Sequence, residues 1–395
     1  MKNAMLLLTA SIAFLAVSSA AQAQSNNDKI EQYIRDVCAE VIQSEIQSDL
    51  TQVCLDATEG PVFGNAGSVG ASGTTSNVTA YLKRRAIEKK EKEEKEQTGG
   101  GASADARLGK VGIFANLSYL DGKRDTTELE NGFDISQFGI TAGSDYRFND
   151  QLFAGAALSY FQIENALNKT EQNIMDSDAG KLDSDNISLT LFGNYFVQDN
   201  VSIDGYLSTA NLSYDSTRRV ATGTINENAT AGYDGQQLAL GAAGNYAHYV
   251  KSWTLSGVAK LDYISTDIDA YSETGGGGLN FRYEKQSIDS LTSKLGVQAS
   301  YAWSQSWGVL LPQGRLHYIH EFSNDSRSIE TALVLAPQST VSLTTDEPDR
   351  DYFIGGIGAS AVLPGGMQPF VDFEFLSGHS YLSTWTATAG LRWEI

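Results

Sequence analysis

From about Arg107 to Ile395, apolar side chains recur at every second position in a succession of short stretches. In the last of these, Ser383, Trp385, Ala387, Ala389, Leu391, Trp393 and Ile395 share one parity, while Thr384, Thr386, Thr388, Gly390, Arg392 and Glu394 share the other. Ile187, Leu189, Leu191, Tyr195 and Val197 alternate in the same way with Asn186, Ser188, Thr190, Asn194 and Gln198. Leu295, Val297, Ala299, Tyr301 and Trp303 stand against Thr292, Lys294, Gln298 and Ser300, and Val111, Ile113, Leu117 and Tyr119 against Lys110, Gly112, Asn116 and Ser118. A period of two means β-strands whose two faces meet different surroundings. Two stretches are less regular. Val201 to Tyr214 changes parity midway, which predicts a β-bulge, and Tyr352 to Val362 is apolar on both faces.

Candidate tight turns at Asn149-Asp150, Asp199-Asn200, Val250 to Ser252, Gln305-Ser306 and Pro364 to Gly366 alternate with polar connections of unequal size, the longest from about Ser323 to Pro348. Twelve strands are expected, beginning near Lys110, Gln137, Gln151, Asn186, Val201, Gln237, Trp253, Leu291, Val309, Asp351, Met367 and Ser383. Short turns at one end and long loops at the other are the arrangement of an outer-membrane barrel. With an even strand count, Tyr146, Phe148, Tyr195, Tyr246, Tyr301, Trp303 and Trp393 fall at the periplasmic ends of the outward faces. Tyr119, Tyr160, Tyr263, Tyr318, Phe375 and Trp385 fall at the extracellular ends. Two aromatic bands at two depths are what a pair of membrane interfaces selects. The fold class is therefore all-β: a twelve-stranded antiparallel transmembrane β-barrel, occupying 107–395, in contact with outer-membrane lipid.

The N-terminus predicts export. Lys2, an apolar run from Leu6 to Val17 and Ala21-Gln22-Ala23 form a secretory signal over 1–23, which places the mature start near Gln24. No later stretch has about eighteen consecutive apolar residues, so no helical span is available. The net charge of -20 disfavours a nucleic-acid partner. Much of the acid lies in the long connections, at Asp176, Asp178, Asp183, Asp185, Asp346, Glu347, Asp349 and Asp351, and is expected as a solvated surface. Asp176-Ser177-Asp178-Ala179-Gly180 resembles the start of a calcium loop but lacks the later ligands. His248, His317, His320 and His379 show no metal-ligand spacing, and no Gly-x-Ser-x-Gly elbow occurs. Neither an enzyme nor a metal or cofactor site is expected. Lys260, Asp262, Lys294, Arg315, His317, Glu321 and Arg392 have the inward parity and are expected to line the lumen.

The pattern resembles the C-terminal translocator domain of autotransporters (type V secretion). The resembling stretches are Leu311-Pro312 through His320-Glu321-Phe322, Asp349-Arg350-Asp351 leading into Gly355-Gly356-Ile357-Gly358, and Ala389-Gly390-Leu391-Arg392-Trp393. The resemblance departs at the last residue, Ile395, where such chains usually finish in an aromatic. It implies barrel assembly machinery and periplasmic chaperones as partners. It also implies a helix threading the pore before the first strand, and Thr75 to Gln97 fits that place. Ala80 to Gln97 is rich in helix formers, with pairs such as Glu88/Lys92 and Glu91/Lys95 four apart. Such a helix would reach roughly 33 Å, about the thickness of the hydrocarbon layer. With the glycine-rich joint after it, it makes a segment of 75–106.

The stretch 24–74 takes the place of an autotransporter passenger and is short for one. Ile30, Tyr33, Ile34, Val37, Val41 and Ile42 recur at helical spacing, which predicts an amphipathic helix from Lys29 to about Ile46. Gly60 to Ser76 reads as linker. Cys38 and Cys54 are the two cysteines of the chain. On one continuous helix they would stand about 24 Å apart, beyond disulfide reach. A turn near Gln47-Ser48 would allow a stapled hairpin; free or intermolecular thiols are the alternative. Two functions follow as expectations. One is a translocator that exports or displays its own N-terminal segment. The other is a solitary pore or surface-loop binding barrel with a periplasmic extension, its extracellular partner unknown.

Overall fold

The computed structural model describes residues 26–43, 110–168, 180–222 and 225–395. The signal segment, Cys54, the linker, the charged segment 75–97 and most of the Asp176 to Gly180 loop lie outside the described residues. Among the described residues there is one helix, α1 (Asn26–Gln43), which begins three residues before the expected span; residues 44–46 of that span lie outside the described residues.

Seven strands follow: β1 (Val111–Arg124), β2 (Phe133–Arg147), β3 (Leu152–Leu167), β4 (Gly180–Gln198), β5 (Val201–Thr222), β6 (Ile225–Val250) and β7 (Trp253–Ile268). Next come β8 (Tyr271–Ser272), β9 (Phe281–Tyr283), β10 (Gln286–Tyr301), β11 (Trp303–Gln305) and β12 (Gly308–Glu321). The last are β13 (Ser328–Leu333), β14 (Val341–Thr344), β15 (Asp351–Val362), β16 (Met367–Ser377) and β17 (Leu382–Glu394).

Strands β1 to β7 pair in sequence, β7 pairs with β10, and β10 with β12; β11 continues the line of β10 past Ala302. The sheet goes on through β15, β16 and β17, and β17 pairs with β1 from Gly112↔Glu394 to Arg124↔Leu382. That pairing closes a twelve-strand antiparallel barrel. Closure leaves no unpaired edge, as a strand surrounded by lipid requires.

Both ends of the barrel sequence, Val111 and Glu394, lie at the end that carries the short turns. At Asn149 the side-chain Oδ1 accepts hydrogen bonds from the amides of Gln151 and Leu152, at 2.9 and 2.8 Å, which fixes the first of these turns locally. The turn expected at Gln305-Ser306 falls one residue later, at Ser306-Trp307. No helix among the described residues is long and apolar enough to cross a membrane. The crossing surface is instead the outward parity of the strands, where Ile113, Leu117, Leu158, Leu189, Leu191, Leu207, Val297 and Leu391 are all exposed.

The bulge expected midway along Val201 to Tyr214 is not there. Strand β5 keeps one parity from Ser202 to Tyr214, and the register shift falls in β4, between Phe196 and Gln198. What changes is the surroundings. Near the short turns Ile203 and Leu207 point out and Asp204 and Ser208 point in. Further along, Thr209, Asn211 and Ser213 point out, while Ala210, Leu212 and Tyr214 are buried inside. Toward the long-loop end the outward residues of the strand are polar and the inward ones pack in an apolar core, the reverse of the arrangement near the short turns. The same inversion hid the first parts of β4 and β6, which begin at Gly180 and Ile225 and not near Asn186 and Gln237. The connection expected between Tyr214 and Gln237 is a continuation of the β5–β6 hairpin, paired as far as Thr222↔Ile225.

Beyond the lipid-facing belt the long connections build a second sheet, in the order β14-β13-β9-β8. Tyr214, Tyr233, Tyr271 and Tyr283 stack across the junction of β5, β6 and this sheet, with ring centroids 5.0, 3.9 and 4.7 Å apart in turn. Helix α1 packs on the same sheet. Ile30, Tyr33, Ile34 and Val37 share one core with Val220, Ala229, Leu279, Phe281, Ile329, Leu333 and Leu343. Each aliphatic side chain buried in this way stabilises by roughly 1.5–3 kcal/mol. The long-loop end therefore carries a folded cap containing the N-terminal helix.

Candidate functional site: the lumen and its capped mouth

Inward parity places Lys260, Asp262, His317, Glu321 and Arg392 in the barrel interior, all buried, with the Arg315 side chain only 6% exposed and Lys294 half-buried. They form separate clusters. Arg315 Nη1 donates to Asp372 Oδ2 at 2.8 Å, and its Nη2 approaches Glu374 Oε1 at the same distance. Glycines make this fork possible: a Cβ on Gly356 would stand 2.8 Å from the Arg315 guanidinium carbon, and one on Gly358 would meet the Asp372 carboxylate. The Gly355-Gly356-Ile357-Gly358 stretch is thus the seat of an ion pair.

Lys260 Nζ lies 2.7 Å from Asp262 and 4.9 Å from the centre of the Tyr206 ring, and the Tyr206 hydroxyl donates to Asp262 at 2.6 Å. Lys294 sits directly across β7 and β10 from Lys260. Arg392 reaches Gln368 at 3.2 Å and Glu394 at 2.6 Å, tying β17 to β16 beside the seam. Glu321 stands at the far rim of the lumen. It accepts from Ser290 Oγ at 2.6 Å and from the Leu291 amide at 3.0 Å, so it fastens β12 to the start of β10.

Parity reads these cations as inward but carries no sign of their partners. Asp372 and Glu374 were legible on the inward parity of β16, yet Asp145 and Asp204 also sit inside, whereas the acid was expected mainly in the loops. The interior also holds an unexpected aromatic cluster of Phe114, Phe153, Phe192, Phe196 and Tyr206. A Cβ on Gly155 would lie 2.7 Å from the Phe192 ring, and one on Gly143 would meet Phe114, so inward rings lie over inward glycines of the neighbouring strands.

Tyr146, Tyr195, Tyr246, Trp303 and Trp393 are exposed at the short-turn end, where Trp393 Nε1 donates to the Gly365 carbonyl at 3.0 Å. Trp385 lies at the long-loop end, 5.7 Å from Tyr119, and donates to Asp121 at 3.1 Å. Tyr160 donates to Asp185 at 2.5 Å and Tyr263 to Asp289 at 2.8 Å, one strand away in each case. These acids begin where the apolar belt stops. An aromatic ring on the apolar side whose polar atom points to a carboxylate is the chemistry of a membrane–water boundary.

At the capped mouth, buried ion pairs join the connections. Arg218 Nε donates to Glu273 at 2.8 Å, its Nη2 donates to the Leu279 carbonyl at 2.8 Å, and Glu273 also accepts from the Phe281 amide at 2.9 Å. Arg124 pairs with Glu130 at 2.8 Å and with Asp346, and lies 4.6 Å over the Tyr381 ring. Burial pushes the Glu130 carboxyl above its usual range, and the Arg124 charge opposes the shift. Cys38 is disulfide-bonded and packs against the α1 core; Cys54 lies outside the described residues. Among the described residues no cluster of His, Cys, Asp and Glu could hold a metal ion. His248 is exposed, His317 is inside, His320 pairs with Asp351 at 2.7 Å and His379 lies in the connection between β16 and β17.

This geometry agrees with a match to the family model "Autotransporter beta-domain" over residues 113–374. The chain belongs to the autotransporter β-domain family. It is 23% identical over 294 residues to YaiT, an uncharacterised protein of Escherichia coli (strain K12), a match covering 70% of this chain and 26% of YaiT. It is 22% identical over 306 residues to Lipase 1 of Photorhabdus luminescens, covering 74% of this chain and 43% of that protein. The chain thus spans about a quarter of the length of YaiT and under half of Lipase 1. Among solved structures, the translocator domain of the autotransporter NalP from Neisseria meningitidis superposes with a TM-score of 0.58 at 16% identity, covering 84% of this chain and all of that one. An autotransporter β-domain is an outer-membrane transport barrel, and that is the fold and location of this chain.

Proposed function

We propose that this barrel carries its own N-terminal segment outward across the outer membrane, with the long-loop end facing the exterior and residues 1–23 removed as a signal peptide. One observation carries the reading. Helix α1 ends at Gln43 on the long-loop end, whereas β1 begins at Val111 on the short-turn end. The chain between them must pass from one end of the barrel to the other. It contains Lys83-Arg84-Arg85 and the run Glu88 to Glu96, and each such charge at mid-bilayer costs at least about 2.5–3.5 kcal/mol. These charges favour the polar lumen over lipid as its route. On this reading Thr75 to Gln97 is the segment in the pore. Lys260, Asp262, Lys294, Arg315, His317 and Arg392 line its path, and the tyrosine and tryptophan bands seat the barrel in lipid. Disulfide pairing of Cys38 with Cys54 would close a loop within the exported part. Barrel assembly machinery and periplasmic chaperones are the partners the family implies.

Deleting residues 75–97 is expected to raise single-channel conductance in planar bilayers, because the lumen loses its occupant. An unchanged conductance would put the segment outside the lumen and favour a plain pore with a periplasmic extension.

A further inference from the structure

Helix α1 is bound to the barrel's own connections as a folded protein binds its core, not as cargo rests near an exit. We propose that these outer connections are a receptor for α1, and that the exported segment is a latch held there without any need for its covalent link to the barrel. The proposal deepens the translocator reading and rests on it for the side on which the latch closes.

Three kinds of contact carry the inference. The first is apolar: Ile30, Ile34 and Val37 are at most 5% exposed, and the side they cover includes Leu279, Phe281 and Leu333, which are fully buried. Without the helix that surface would be an apolar patch in water, of the kind that soluble surfaces avoid. The second is polar and specific. The Asn26 amide donates to the carbonyls of Leu129 and Thr344, at 2.7 and 2.8 Å, and its oxygen accepts from the Thr344 amide at 3.0 Å. One side chain thereby joins the β1–β2 connection to β14. The Tyr33 hydroxyl donates to the Ser339 carbonyl at 2.7 Å and accepts from the Leu333 amide at 3.0 Å, spanning the β13–β14 hairpin. Buried polar groups satisfied this fully mark a designed contact, because leaving them unpaired is costly.

The third is the receptor's own rigidity. Arg218, Glu273, the Leu279 carbonyl and the Phe281 amide form a closed, buried network directly beneath the helix, with Arg218 5.2 Å over the Phe281 ring. A preorganised receptor loses little entropy on binding, which favours retention. The opposite face of the helix, with Gln32, Arg35, Asp36 and Glu40 exposed, is what the latch presents to its surroundings.

The test uses the full chain with a site-specific protease sequence inserted after Gly70, in the linker and ahead of residues 75–97. After complete cleavage, shown on a denaturing gel, the purified protein in mild detergent is passed over a size-exclusion column. The N-terminal fragment is expected to co-elute with the barrel. Separation of the two fragments would overturn the latch, whichever way the barrel points. Asn26→Ala, which removes the three hydrogen bonds of that side chain, is expected to co-elute less completely, and Ile34→Asp to be lost from the barrel. Co-elution of Ile34→Asp at the unaltered level would also overturn the proposal, since retention would then not come from this interface. On intact cells the same cleavage should leave an N-terminal tag cell-bound and antibody-accessible. A tag retained in detergent but inaccessible on cells would sink the translocator reading while the receptor–helix contact stands.

Discussion

Arg315→Met should destabilise the barrel by about 3–5 kcal/mol, the cost of leaving buried charges without their partner. The guanidinium is 6% exposed and faces Asp372, also 6% exposed, and Glu374, 31% exposed. Methionine keeps much of the volume and packing of the arginine stem, so the loss falls mainly on the two carboxylates. Both would lose the guanidinium they share in the present geometry. Asp372→Asn on the same background should restore most of the loss, because an amide needs no counter-charge. The measurement is reversible urea unfolding in detergent or lipid vesicles, carried out as a double-mutant cycle. A single-variant loss below about 1 kcal/mol would mean the pair is solvated like an exposed one.

Leu191→Arg tests the outer surface with an effect of about 2–4 kcal/mol, the cost of an arginine facing lipid at the bilayer midplane. Leu191 is 53% exposed on the outward parity of β4. It lies four residues from Tyr195 at the short-turn end and four from Ile187, beyond which Asp185 turns outward. Gln198→Arg, beside the turn into β5, should cost only about 0–1 kcal/mol because the side chain meets an interface there. The two arginines differ chiefly in depth, and the leucine-to-arginine change also removes an apolar side chain, so equal costs would remove the argument for a lipid belt between these levels.

What the sequence revealed depended on whether lipid was present to sort the side chains. Where hydrocarbon faces one side of a strand, alternation is strong, and Trp385, Leu391 and Trp393 disclosed both the face and the depth of β17. Above the belt the sorting reverses. In β5 the outward residues become Thr209, Asn211 and Ser213 and the inward ones Leu212 and Tyr214, which reads in the sequence as a parity change and predicts a bulge that the strand does not have. The cap strands β8, β9 and β14 span two, three and four residues, too few for any period to show. Ile30, Tyr33, Ile34 and Val37 announced a helix with one apolar face, but nothing local says what that face meets. Its partners Phe281, Leu333 and Leu343 lie in connections that read only as polar loops. Likewise parity put Arg315 inside the barrel, yet its pairing with Asp372 joins strands β12 and β16 across the glycines of β15, and spacing carries no trace of that.

The central claim is that the N-terminal segment ends on the outer side of the membrane. The most direct measurement is labelling at one exposed position of α1, using Asp36→Cys in a chain with both Cys38 and Cys54 replaced by serine, so that a single thiol reports. A membrane-impermeant maleimide applied to intact cells should label it as completely as in lysed cells. Labelling that appears only after the outer membrane is permeabilised would place α1, and with it the long-loop end of the barrel, on the periplasmic side, and would contradict the account.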